Sequence, residues 1–109
     1  MNYELENYRG NRLEKSIHSY DEYDGHMVQF KIDQDRRVSE VGSSLYSRVY
    51  KSILCPHKVE THELEYTMLD EWVIENSRGC WWRGGFTTYY FQYDDDAVFF
   101  KLSWGFDER

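Results

Sequence analysis

The segment Cys80–Tyr93 constrains the fold most. Cys80-Trp81-Trp82-Arg83 and Phe86–Tyr93 are aromatic-rich runs on either side of Gly84-Gly85. Gly-Gly is a favoured two-residue hairpin turn because both positions tolerate positive φ. The segment therefore reads as strand, turn, strand. Helical patterns lie on both sides of it. A sheet with ring-bearing strands must cover one face, and the flanking helices are the elements available to do so. The expected fold is α+β, a small antiparallel sheet with helices packed on one face.

Upstream of the hairpin, His62–Asn76 places Met68, Leu69, Trp72 and Val73 on one side of a helix. Glu63, Asp70, Glu71 and Glu75 fall on the other. Thr61 is the expected cap and Arg78-Gly79 the expected stop, with Gly79 left-handed. Glu65 lands among the apolar positions, either frayed or paired. Downstream, Ala97–Trp104 alternates as a strand does, through Val98, Phe100, Leu102 and Trp104. Asp94-Asp95-Asp96 makes a poor hairpin turn and a good helix start. A helix capped by Asp94 and stopped at Gly105 is the reading preferred here.

The first half is less sharply patterned. Val38, Val41, Leu45, Val49 and Ile53 recur at offsets of three and four, which predicts an amphipathic helix over Arg37–Leu54, weakened by Gly42. Cys55-Pro56 ends it, because a residue before proline avoids the helical region. Val28, Phe30 and Ile32 alternate as in a half-buried strand, with Asp24-Gly25 as a turn before it. Leu13, Lys15, Ile17 and Ser19 form a weaker first strand, and a helix over the same stretch competes. Residues 1–12 read as a short helix or an extended lead-in. No repeat, low-complexity tract or linker appears, so 1–109 is expected to be a single compact domain of 13.3 kDa.

Charge is uneven along the chain. Residues 1–55 carry nine acids and eight bases, net −1, whereas 56–109 carry eleven acids and five bases, net −6. A non-specific nucleic-acid binder needs clustered Lys and Arg to displace counterions from phosphates. The chain has no such cluster beyond Arg36-Arg37, which disfavours direct binding to nucleic acid. A basic protein partner is the natural complement. No apolar run approaches the roughly 18–20 residues that cross a bilayer, and no basic segment leads into an apolar stretch as in a secretory signal. The expected location is the cytoplasm.

No motif assigns a chemistry. Cys55, His57, His62 and Cys80 have the donor types of a zinc site, but their spacing matches no common finger. Two thiols and two loop histidines are the simpler account. His62-Glu63 is not followed by a second His at the metalloprotease spacing, since Tyr66 stands there. Glu65 is the one candidate for an acid raised in an apolar pocket. Asp94–Asp96 can hold a divalent cation, but helix capping explains them more simply. Trp81-Trp82-Arg83 with Tyr89-Tyr90 has the ring content of a base-stacking platform, without the positive groove such platforms use.

Tyr90-Phe91-Gln92-Tyr93-Asp94-Asp95-Asp96-Ala97-Val98-Phe99-Phe100-Lys101-Leu102-Ser103-Trp104-Gly105 resembles the ends of small uncharacterised accessory proteins of tailed phages. There an aromatic strand runs into an acidic cap, Asp-Ala and a Phe-x-Leu-x-Trp helix. The upstream Trp-bearing helix and Trp-rich strand look similar too. The resemblance implies a phage origin and a strand-to-helix ending, and no activity.

These features point to a non-enzymatic interaction protein, without cofactor, that binds and blocks a host protein in the host cytoplasm. Its rigid acidic face would imitate the charge row of DNA toward a defence or nucleic-acid-processing protein. The expected interface is Glu63, Asp70, Glu71, Glu75, Asp94, Asp95 and Asp96, with Trp82 and Tyr89 as ring anchors. The expected state is a monomer or small homo-oligomer. The alternatives are a small metal-dependent enzyme or ligand-binding protein using Cys55, His57, His62 and Cys80, or a phage structural or assembly component.

Overall fold

In the computed structural model the described residues are 2–9, 12–41, 45–61, 65–85 and 87–104, with backbone alone for 2–9, 12–20, 23 and 47. The contacts divide the chain into two compact units, residues 1–54 and 55–109. The boundary falls at the residue pair before the chain's single proline. Each unit has its own antiparallel sheet, with one helix in the first and two in the second, so the α+β class holds.

The first unit is a four-stranded meander of β1 (Asn2–Arg9), β2 (Arg12–Tyr23), β3 (His26–Asp33) and β4 (Val38–Glu40), followed by α1 (Leu45–Leu54). The lead-in is thus extended and pairs with β2 along its length. Tyr23 faces His26 across the two-residue turn Asp24-Gly25, whose φ values are +52° and +75°. Both central residues have positive φ, the turn whose twist matches a tight hairpin.

The helix expected over Arg37–Leu54 is shorter than predicted. Its first third is instead turn and strand. Asp33 closes that turn: its Oδ1 accepts from the backbone N–H of Asp35 (2.9 Å) and Arg37 (3.0 Å). Arg36 sits at φ +67° within it. Val38 then pairs opposite Ile32 and is buried with Val28 and Phe30. Gly42 lies outside the described residues.

The packing stripe of α1 also differs from the aliphatic one. Tyr46 stacks on His26 with centroids 3.8 Å apart, and Tyr50 packs on Phe30 at 5.3 Å. Leu45, Val49 and Ile53 are left exposed. The Tyr50 hydroxyl donates to Asp21 Oδ2.

The second unit holds β5 (His57–Glu60), α2 (Tyr66–Asn76), β6 (Trp81–Gly84), β7 (Thr88–Phe91) and α3 (Asp94–Trp104). Its sheet order is β5-β7-β6. The register puts Tyr89 opposite Val59 and Arg83, and Phe91 opposite His57 and Trp81. These residues share one face, and the helices cover it with Leu69, Val73, Ala97 and Phe100. Phe100 lies 4.8 Å from Tyr89 and 5.3 Å from Phe91, centroid to centroid. The helix reading of Ala97–Trp104 is correct, and the helix starts at Asp94 itself.

Local details of this unit correct the sequence reading. Thr61 is not a helix cap. It is buried, its N–H donates to Thr87 O, and its hydroxyl donates to Trp104 O. His62 and Glu63 lie outside the described residues, as does Gly105. The hairpin connection is three residues, 85–87, because Gly84 pairs with Thr88 within the sheet. Gly85 has the positive φ, +73°. Gly79 is not left-handed. A Cβ there would come within 2.6 Å of the Tyr93 ring, so close approach explains the glycine. No helix among the described residues is long and apolar enough to cross a membrane.

Candidate functional site

Strand alternation sorts the rings of the hairpin. Trp81 and Tyr89 point into the core and are 1% and 0% exposed. Tyr89 is therefore removed from the expected interface, because a fully buried ring in a central strand cannot meet a partner. Trp82 and Tyr90 take the other face of the sheet. They stack with centroids 3.8 Å apart and planes 4° from parallel, half-buried. Gly84 leaves room for that stack: a Cβ there would meet Trp82 at 3.0 Å and Tyr90 at 3.1 Å.

The acidic face is thinner than the sequence suggests. Arg83 lies on the core face of β6, and a cation there needs a counter-charge. Asp70 of α2 supplies it. Its Oδ1 accepts from Arg83 Nε at 3.1 Å and from the Tyr89 hydroxyl at 2.6 Å. Arg83 also lies 4.5 Å over the Tyr66 ring and donates to Gly85 O at 2.7 Å. Asp70 is thus a structural anchor and leaves the expected interface.

Asp96 is buried as well. It accepts from the backbone N–H of Arg78 (3.1 Å) and Gly79 (2.9 Å), tying the α2–β6 loop to the start of α3. Two of the acids assigned to the outer face have therefore turned inward, for the same reason. Each satisfies donors that burial would otherwise leave without acceptors.

Glu71, Glu75, Asp94 and Asp95 remain exposed. Trp72 packs on Phe99 and Phe100 at 5.0 and 5.8 Å. Further along, Asn76 lines one recess with Asp95 and Phe99. The two helices therefore run antiparallel, with Glu71 and Glu75 directed away from the core. The recess has a volume of about 430 Å³ and is completed by Arg78, Tyr93 and Asp96. Tyr93 and Phe99 are 51% and 49% exposed, unusual for rings beside a complete core. The sequence reading missed both. The available signal was the Phe99-Phe100 pair, since adjacent helical residues diverge by about 100° and one alone can face inward.

Asp94 lies 3.7 Å from His57 Nδ1 on the opposite flank of α3. Asp94 therefore points away from Asp95 and Asp96, which both line the recess. Cys55 is buried, Cys80 is half-buried, and no disulfide joins them. Cys80 N–H donates to Gln92 Oε1 at 3.0 Å. Among the described residues no three His, Cys, Asp or Glu side chains converge, and His62 lies outside them. Glu65 is exposed at the start of α2 and makes no side-chain cap, so it is not an acid held in an apolar pocket.

Comparison with protein-family models, curated proteins and solved structures found no match. The residues brought together at the α2–α3 edge are therefore what informs function. They offer the exposed carboxylates Glu71, Glu75 and Asp95 and one exposed cation, Arg78, beside exposed rings, an excess of negative charge suited to a cationic surface.

Proposed function

We propose that this protein is a non-catalytic interaction protein that docks the α2–α3 edge of its second unit on a basic surface of a protein partner. The observation that carries this is the grouping of Asp95 with half-exposed Tyr93 and Phe99 around one recess, which Arg78 also lines, with Glu71 and Glu75 exposed on the neighbouring α2. The net charge of −6 over 56–109 supports the same partner chemistry. Carboxylates steer the encounter and the rings supply the anchors. With Asp70 and Asp96 turned inward, the charge row is too broken to bind as a DNA replica alone, so the rings share the contact.

A protein whose basic surface normally holds nucleic acid is the partner class that fits, and occupying that surface would inhibit it. The resemblance of Tyr90–Gly105 to phage accessory proteins supports a phage-encoded protein acting in the host cytoplasm.

The test is retention of a host partner on immobilised protein. Wild type should hold it at low salt, with affinity falling steeply as salt rises. Glu71→Lys with Glu75→Lys should weaken it at least tenfold, and Phe99→Ala should cost about 2 kcal/mol, as for a buried ring anchor. A partner indifferent to salt and to all three substitutions overturns the proposal.

A further inference from the structure

α3 has a second outward surface that the α2–α3 edge does not use. Ala97 and Phe100 are buried, whereas Val98 is 47% and Leu102 81% exposed. These two residues are one helical turn apart and form a short apolar ridge. Asp94 and Lys101 flank it on one side, seven residues or about two turns apart; both are exposed, Asp94 also lies 3.7 Å from His57 Nδ1, and Lys58 of β5 lines one recess with both.

We propose that this ridge is the contact between two copies of the chain, packed with their α3 helices antiparallel about a two-fold axis. In such a contact residue i meets residue j while j meets i. An axis near residues 97–98 places Asp94 of each copy against Lys101 of the other, twice over. Val98 then meets Val98, and each Leu102 lies over the start of the opposite helix. The two helix dipoles also oppose, which is favourable.

The ridge on α1 provides the contrast. Leu45, Val49 and Ile53 are exposed there too, but the helix carries Arg48 and Lys51 and no acid. The same symmetry would set like charges together. Self-complementary charge is therefore a property of α3, and it selects a second copy over a uniformly basic partner, which Lys101 would repel.

A single helix ridge offers less than the roughly 800 Å² per partner of a standard interface. The dimer is accordingly weak and concentration-dependent. Glu71, Glu75 and Phe99 lie on the α2 side of the helix, away from Val98.

Sedimentation of the full chain over a concentration series tests this. Wild type should pass from monomer to dimer, and Val98→Glu with Leu102→Glu should remain monomeric with an unchanged circular dichroism spectrum. Lys101→Glu and Asp94→Lys should each weaken dimerisation about tenfold through like-charge contacts. Mixing those two variants should restore it, because the mixed dimer has an opposite pair at both contacts. Three results would each overturn the proposal: a wild type that stays monomeric at millimolar concentration, a dimer that survives the double glutamate variant, or a mixture no tighter than its parents.

Discussion

Asp70 shows how much depends on a single side chain. Its carboxylate serves Arg83 and the Tyr89 hydroxyl together at the edge of the core. Asp70→Ala removes the acceptor they share, and we expect a loss of about 2–4 kcal/mol in urea unfolding. Asp70→Asn retains a neutral acceptor and should cost less. The Asp21–Tyr50 hydrogen bond makes a second prediction, this one in pH. Donation to the Asp21 carboxylate, aided by burial, pushes the Tyr50 hydroxyl from 10.0 up to about 12. The same bond holds Asp21 below its ordinary 3.8. The raised tyrosine contributes stability that is complete below pH 10 and lost as pH climbs through about 12. The depressed aspartate contributes stability that is complete above pH 3.8 and lost as pH falls through its lowered value. Ultraviolet absorbance titration should show tyrosine ionisation near 12, and Tyr50→Phe should reduce the amplitude of that phase by one tyrosine.

At the scale of elements, turn chemistry was legible and helix extent was not. Asp24-Gly25 forms the hairpin its residues suggest, because positive φ at two successive positions is a local requirement that few other residue pairs meet. Nothing lies within 4 Å of a Cβ at Gly25, so Gly25→Ala tests the backbone term alone. It should cost about 1 kcal/mol in thermal unfolding, without altering the register. Val38 fits a helical stripe with Val41 and Leu45 by spacing, yet it pairs with Ile32 in a strand. The Asp33 turn overrides the periodicity by offering Asp35 and Arg37 a side-chain acceptor. The aliphatic stripe of α1 misled for a related reason: Tyr46 and Tyr50 find ring partners on β3, which outweigh three smaller side chains.

Over the whole molecule, the two units differ in chemistry. Trp72, Trp81, Trp82 and Trp104 are all in the second, as is its eight-residue buried cluster. We expect a fragment of residues 55–109 to keep a blue-shifted tryptophan emission and a cooperative, if marginal, unfolding transition, since small domains bury proportionately less surface. Emission typical of exposed indole would show that this core needs the first unit. The excess acid also lies in 56–109, so salt should act on partner binding through this unit.

The sequence by itself determined the α+β class, the Asp24-Gly25 turn, the β6–β7 hairpin, the strand-to-helix ending and the uneven charge. Those features are set by φ preferences, by two-residue alternation and by simple counting, all of which are local or additive. Tertiary structure alone decided which carboxylates face a partner. Asp70 and Asp96 are indistinguishable in sequence from Glu71 and Asp95. They turn inward because Arg83, Tyr89 and the backbone N–H groups of Arg78 and Gly79, brought up from other elements, present buried donors that must be met.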